Sequence, residues 1–209
     1  MPSRAPPLTL EIVKGLAGLA ILQQRLDVGV CLLVAFHCFL RTGEVVNLKA
    51  ADIVVDRDQG RAVVNLGLTK GGIRRGAKES VTVHDSHLVE WISALLSRRL
   101  PGDSLLACSA ASFRKYFRDL CKFFLLEDFE FKPYSLRRGG ATFWFRSTNN
   151  LQSVIHRGRW ENSKTARIYV TEGLSMLTEI ALNQVQLRTL RESAEILVQP
   201  GPGAWRGDF

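Results

Sequence analysis

The chain has 209 residues, room for one ordinary domain and a small appendage; 46% are apolar and 23% charged, the balance of a globular protein with a core and not of a disordered tail. Its longest apolar run, residues 28–40, is broken by His37 and falls short of the roughly 20 residues that a membrane span needs, and no secretory signal stands behind Met1-Pro-Ser-Arg-Ala-Pro-Pro. A formal net charge of +8 makes polyanions, nucleic acid first, the default partners.

Residues 1–7 are proline-rich and are expected to be disordered. From Thr9, a capping hydroxyl, Leu10, Val13, Leu16, Leu19 and Ala20 recur at helical spacing, with Glu11 in the first turn. Asp27 is placed to cap a second helix running to about Leu40, apolar on nearly every side and so expected to be covered by neighbours. Thr42-Gly43 breaks it, and residues 44–48 begin a short helical piece. The period then changes: residues 53–55, 61–68 and 80–84, rich in Val and Ile, read as three short strands. Asp58-Gln59-Gly60 turns between the first two, and Lys70-Gly71-Gly72 with Gly76 makes a basic hairpin loop between the second and third. Helical patterns return over residues 86–99, are interrupted by Pro101-Gly102-Asp103, and resume where Ser109 can cap a helix reaching about Leu126. Further helices are expected over 134–146, 151–156 and 163–169, with an amphipathic one over 174–197. Residues 199–209 alternate Pro and Gly and are expected to be loose. The expected architecture is mainly α with a small three-stranded antiparallel sheet, in one domain over residues 8–198.

Cys31, Cys38, Cys108 and Cys121 show no CxxC spacing, and three lie in apolar helical patterns as buried thiols would, which suits a reducing compartment. His84 and His87 have no Cys or His partners near them, so no metal site is expected.

Several basic residues stand where elements end, and each has two readings. Arg41, before Thr-Gly-Glu, is either a cation at a helix end paired with Glu44 or a guanidinium buttressed to meet a phosphate. Lys70 is either an exposed loop lysine or an ammonium that reaches a phosphate or donates a proton. In Tyr134-Ser-Leu-Arg137-Arg138-Gly139-Gly140-Ala-Thr142 two arginines open a helix whose next residues are very small. Gly-Gly inside a helix costs about 1–2 kcal/mol, so a close backbone crossing or an anion at the helix N-terminus should compensate it. Trp160 and Tyr169, taken alone, read as packing aromatics.

Their order is more telling than any one of them. Arg41-Thr-Gly-Glu44, a hairpin lysine at Lys70, Tyr134-x-Leu-Arg137-Arg138-x-x-Ala-Thr, and Trp160 nine residues before Tyr169 resemble the catalytic domain of the tyrosine recombinases, the phage-type integrases, over roughly residues 8–172. The Leu-Arg-Arg-x-x-Ala-Thr segment and the Trp-to-Tyr spacing are the specific parts. The chain departs from the family at Tyr134, where a histidine is usual; a phenol with a reference pKa of about 10 donates a hydrogen bond but does not act as an imidazole does. Members usually carry a separate helical DNA-gripping domain ahead of the catalytic one, and only about seven residues precede the first helix here.

The resemblance implies a site-specific recombinase or mobile-element integrase working through a 3′-phosphotyrosyl intermediate. Tyr169 would be the nucleophile, Arg41 and Arg137 the phosphate-binding guanidiniums, Lys70 the general acid, and Trp160 and Tyr134 hydrogen-bond donors to phosphate oxygen; Glu44 would hold Arg41. Arg74, Arg75, Lys132 and Arg138 would contact backbone phosphates. No cofactor or metal is implied. The partner would be double-stranded DNA, with a homo-oligomer, a tetramer, assembled on it and the C-terminal helix docking either on its own domain or on a neighbour. The protein would work inside the cell with DNA, in the nucleus of a eukaryote or the cytoplasm of a bacterium. Two other functions fit the same residues: a DNA-binding or domesticated protein of this fold without turnover, and a type IB topoisomerase-like enzyme.

Overall fold

The computed structural model describes residues 5–67 and 79–198. Thr9 caps α1 (Leu10–Leu22), its hydroxyl accepting from Ile12 N at 3.2 Å. The second helix, α2 (Leu26–His37), is buried on all sides along almost its whole length. Asp27 is not its cap: Arg25 holds that position, and the Asp27 carboxylate is buried, taking Arg25 Nε at 2.9 Å and the Ala107 amide at 2.9 Å. A buried carboxylate binds its nearest donors whether or not they belong to the helix end.

After α3 (Thr42–Asn47) come β1 (Ile53–Asp56), β2 (Arg61–Gly67) and β3 (Glu79–Val83). They form an antiparallel sheet in the order β1-β2-β3, with Ile53 opposite Val64 and Val64 opposite Val81. Alternation puts Ile53, Ala62, Val64, Val81 and Val83 on the buried face. The helices α4 (Ser86–Leu96) and α5 (Ala110–Phe123) follow; Ser109 caps α5 as expected. Then come α6 (Tyr134–Thr148), α7 (Leu151–Gly158), α8 (Ser163–Leu177) and α9 (Gln184–Ala194).

The C-terminal part differs from the expected 174–197 helix. The helix that holds Tyr169 runs on without a break to Leu177, and a new one starts at Gln184, where Asn183 caps it by accepting from Gln186 N at 2.9 Å. A capping asparagine ends helical periodicity on its N-terminal side, which the continuous apolar spacing had masked. This α9 lies on α1 of its own chain, with Leu190 fully buried, and the Trp91 indole donates to Leu197 O at 3.2 Å to tie down the end.

The apolar residues divide into two clusters. The larger joins α1, α2, the sheet, α4 and α5; the smaller is built from Phe39, Ala141, Val154, Trp160, Ala166 and Val170, contributed by α6, α7, α8 and the turns that follow α2 and α7. The smaller one is the floor of the site below. Among the described residues no helix is long and apolar enough to cross a membrane.

Candidate active site

The site begins with a close crossing. A methyl built on Gly140 would lie 2.0 Å from the Phe36 carbonyl oxygen, and one on Gly139 2.1 Å from that of Leu8, so only glycine lets α6 run this near to α2 and to the N-terminal segment. The crossing delivers the first turns of α6 to the C-terminal end of α2, where the carbonyls of His37 and of Cys38 and Phe39 just beyond it have no partner within the helix. Three arginines take them. Arg157 Nε donates to His37 O at 2.8 Å, Arg159 to Cys38 O at 2.9 Å, and Arg137 Nη1 and Arg159 Nη2 both donate to Phe39 O. Cations at the negative end of a helix dipole are favourably placed as well as hydrogen-bonded.

Arg137 is 1% exposed. Its second amino group donates to Gly158 O at 2.9 Å, its guanidinium carbon sits 4.8 Å from the centre of the Trp160 ring, and its Nε–H is buried with no acceptor among the described residues. Burial, and after it the charges of Arg41 and Arg159, push its pKa down to about 9. A guanidinium strained in this way gains from any anion that arrives.

Arg41 begins α3, with a side chain 43% exposed. The Glu44 carboxylate accepts from the Arg41 amide and from Arg41 Nη1, both at 2.7 Å, and from Arg159 Nη2 at 2.9 Å. Burial alone would raise the Glu44 carboxyl; Arg159, the Arg41 amide and the Arg41 and Arg137 guanidiniums outweigh it and hold it below the usual carboxylate range. Among the described residues, the guanidiniums of Arg41, Arg137 and Arg159 thus stand against two carboxylates, Glu44 and Glu79, the latter 3.4 Å from Arg159 Nε. The balance is positive.

The aromatic side of the site rests on Gly158, where a methyl would fall 2.0 Å from the Trp160 ring; glycine lets the indole fold back over the end of α7. The half-buried Tyr169, in the middle of α8, has its ring 5.0 Å from that of Trp160 and 6.0 Å, edge-on, from that of Tyr134. Tyr134 is the first residue of α6, 40% exposed, one helical turn from Arg137. A phenol, an exposed cation and a deeply held one therefore converge, which is the arrangement that nucleophilic attack on an anionic ester requires.

Of the residues expected from the sequence, the structure brings together Arg41, Glu44, Tyr134, Arg137, Trp160 and Tyr169. Lys132 is exposed just before α6. Arg138 needs a correction: it is 2% exposed, not free on the surface for a phosphate, and is engaged by Ala5 O at 2.9 Å, Glu172 Oε2 and Met176 Sδ at 3.5 Å. It ties the N-terminal segment and α8 to α6, because its place in the helix turns it inward toward α8. Lys70, Arg74 and Arg75, like the tail 199–209 and residues 1–4, lie outside the described residues.

Sequence reasoning passed over Arg157, Arg159 and Glu79. The signal for the two arginines was that they flank a glycine directly before Trp160, a density of charge that composition alone assigns to the surface; Glu79 carried none.

A model of the phage integrase family matches residues 20–173. Among solved structures, the chain is similar to the crystal structure of XerA recombinase, with a TM-score of 0.59 and 18% identity over 100% of this chain and 66% of that one. It is similar to XerH site-specific recombinase in its post-cleavage complex with palindromic difH substrate (TM-score 0.63, 19% identity, 85% of this chain and 52% of that one). The XerH pre-cleavage complex with difH matches at 0.62 and 18% over 94% and 56%. The chain spans about half to two thirds of the length of these recombinases. Among curated proteins there is no match.

Proposed function

The chain belongs to the phage integrase family, and from that premise we propose that it is a site-specific recombinase or integrase that breaks and rejoins DNA through a phosphotyrosine. The observation that carries the proposal is the stack Tyr169–Trp160–Arg137: a phenol packed at 5.0 Å on an indole that is itself packed at 4.8 Å on a buried guanidinium. Tyr169 Oη forms the bond to phosphorus, the bond from phosphorus to the 5′-oxygen breaks, and the energy of the diester is kept for rejoining. Arg41 and Arg137 carry the charge of the pentacoordinate state, each fixed donor contributing about 3 kcal/mol if it resembles an oxyanion donor. The phenolic proton is lost to solvent, and Lys70, assigned from the family resemblance, returns one to the leaving 5′-oxygen, so the exchange is neutral overall.

Tyr134 and Trp160 donate to phosphate oxygen. Double-stranded DNA is the partner, drawn by the +8 charge, with Lys132, Arg74 and Arg75 on backbone phosphates; several copies assemble on the DNA, and the protein acts wherever the cell keeps it. The XerH structures were solved with a DNA substrate, which supports this partner.

Two observations favour a second reading, a DNA-binding protein of this fold without turnover: Arg137 is 1% exposed, and Tyr134 fills the usual place of a histidine. Incubation with a duplex nicked next to the target phosphate separates the two. The nick lets the short fragment that carries the released 5′-hydroxyl diffuse away, so a competent enzyme accumulates a denaturant-resistant protein–DNA adduct, and a protein that only binds leaves none.

A further inference from the structure

We infer that Arg159 is a positioning residue that sets Arg41, Arg137 and Trp160 relative to one another; the inference rests on the DNA-cleaving reading above. Two backbone observations single it out. Arg159 has φ 55° and ψ 39°, and Phe39, whose carbonyl it binds, has φ 50°. Both are left-handed conformations that side chains other than glycine rarely adopt, and two of them facing each other across one hydrogen bond need a compensating interaction.

The guanidinium supplies it. At 7% exposure it reaches Cys38 O at 2.9 Å, Phe39 O at 3.3 Å, Arg157 O at 3.2 Å and Glu44 Oε2 at 2.9 Å, with Glu79 of β3 at 3.4 Å. Arg41, Arg137 and Trp160 are each reached through one partner or chain neighbour of this residue. Glu44, which it fixes, holds both the amide and the guanidinium of Arg41. Phe39 O is shared between Arg159 and Arg137. Its chain neighbours are Gly158, whose carbonyl takes Arg137 at 2.9 Å, and Trp160, on whose ring Arg137 lies. One side chain in one strained turn thus sets two guanidiniums and an indole together, without touching the substrate.

Glycine at this position tests the inference, because it relieves the left-handed strain while deleting the guanidinium. Arg159→Gly should stay folded and bind intact duplex within about threefold of the parent, while single-turnover cleavage of the nicked duplex at saturating protein falls on the order of 100-fold, the loss that misplacement by an ångström causes. The pH profile supplies a reading that plain destabilisation does not move. Glu44 is faced by Arg41, Arg137 and Arg159; without Arg159 its carboxyl titrates higher, so the acid limb of the cleavage profile shifts to higher pH than the parent's. Arg159→Lys, which keeps the charge, should bring that limb back toward the parent.

Should Arg159→Gly fail to fold, Arg159→Gly/Glu79→Gln neutralises the carboxylate that Arg159 faces and carries the same expectation; if the double variant also fails to fold, Arg159 serves folding and the inference is overturned. A parent that cleaves alongside an Arg159→Gly variant that cleaves equally fast with an unmoved acid limb overturns the inference and leaves the enzymatic reading standing. A parent that forms no adduct overturns the enzymatic reading and the inference with it.

Discussion

Replacing Gly140 by alanine tests whether the crossing of α6 and α2 builds the site. The added methyl would stand 2.0 Å from the Phe36 carbonyl oxygen and 2.8 Å from Phe39 Cδ1, whereas ordinary contact begins near 3.4 Å. One neighbour is backbone and the other a ring 1% exposed, so neither yields easily, and the two helices must separate by more than about an ångström. Alanine is better than glycine in a helix interior by about 1 kcal/mol. Against this stand an overpacking cost of about 1–3 kcal/mol and the weakened hydrogen bonds from Arg137 and Arg159 to Phe39 O, each worth about 1.5–3 kcal/mol when intact because the donors are charged. The net is a destabilisation of about 2–4 kcal/mol. In a chain of this size each kcal/mol moves the melting midpoint by about 2–4 °C, so a fall of about 5–15 °C is expected. Urea titration and thermal melts followed by circular dichroism measure it. Gly43→Ala is the control, since a methyl there meets nothing within 4 Å. If Gly140→Ala proves as stable as Gly43→Ala, the crossing is loose and the reasoning from close approach fails.

Three further outcomes are expected. Burial holds the His37 imidazole down to about 4, with Asp85 opposing and Arg157 and Lys14 reinforcing; between that value and the ordinary 6.5 the folded chain binds fewer protons than the unfolded one, so stability falls as pH drops through this window. His37→Gln should flatten that dependence in urea titrations at pH 7 and 5, and an unchanged acid loss would contradict it. Arg138→Met removes the links to Ala5 and Glu172 and should cost about 1–3 kcal/mol, with amide exchange accelerated in α8 more than in α1; unchanged exchange in α8 would show that the link anchors nothing. Tyr134→Phe keeps the ring on Tyr169, so stability should hold while single-turnover cleavage slows by about one to two decades, the loss of one hydrogen bond to a charged group; a parental rate would make Tyr134 a packing residue.

Much of the fold was legible because it rests on local rules. The Val- and Ile-rich alternation of residues 53–83 marked the sheet, and Thr9 and Ser109 marked helix starts by the hydroxyl each offers to an orphaned amide. Asp27 was misplaced for the opposite reason, its carboxylate being held by Ala107, 80 residues away, and the helix over 174–197 because Asn183, itself a local cap, interrupts an apolar spacing that on its own looks continuous. The candidate site divides in the same way. Residues carried by motif spacing, Arg41, Glu44, Arg137, Trp160 and Tyr169, do converge. Arg138 was given to a DNA phosphate and Arg159 was passed over because a buried arginine depends on acceptors brought by other elements: the end of α2 for Arg159, and α8 with Ala5 for Arg138. The Gly139-Gly140 pair signalled a close approach correctly, but not that the approach would bury the arginines beside it.

Covalent joining of Tyr169 to DNA is established or refuted by mapping the bond. The protein is trapped on the nicked duplex, the adduct is digested with protease and nuclease, and the nucleotide-bearing peptide is sequenced by mass spectrometry. The expected result is a 3′-phosphate on Tyr169 and no adduct from Tyr169→Phe, which should still fold and bind the duplex. A phosphopeptide centred on another residue, or an adduct that survives Tyr169→Phe, would contradict it.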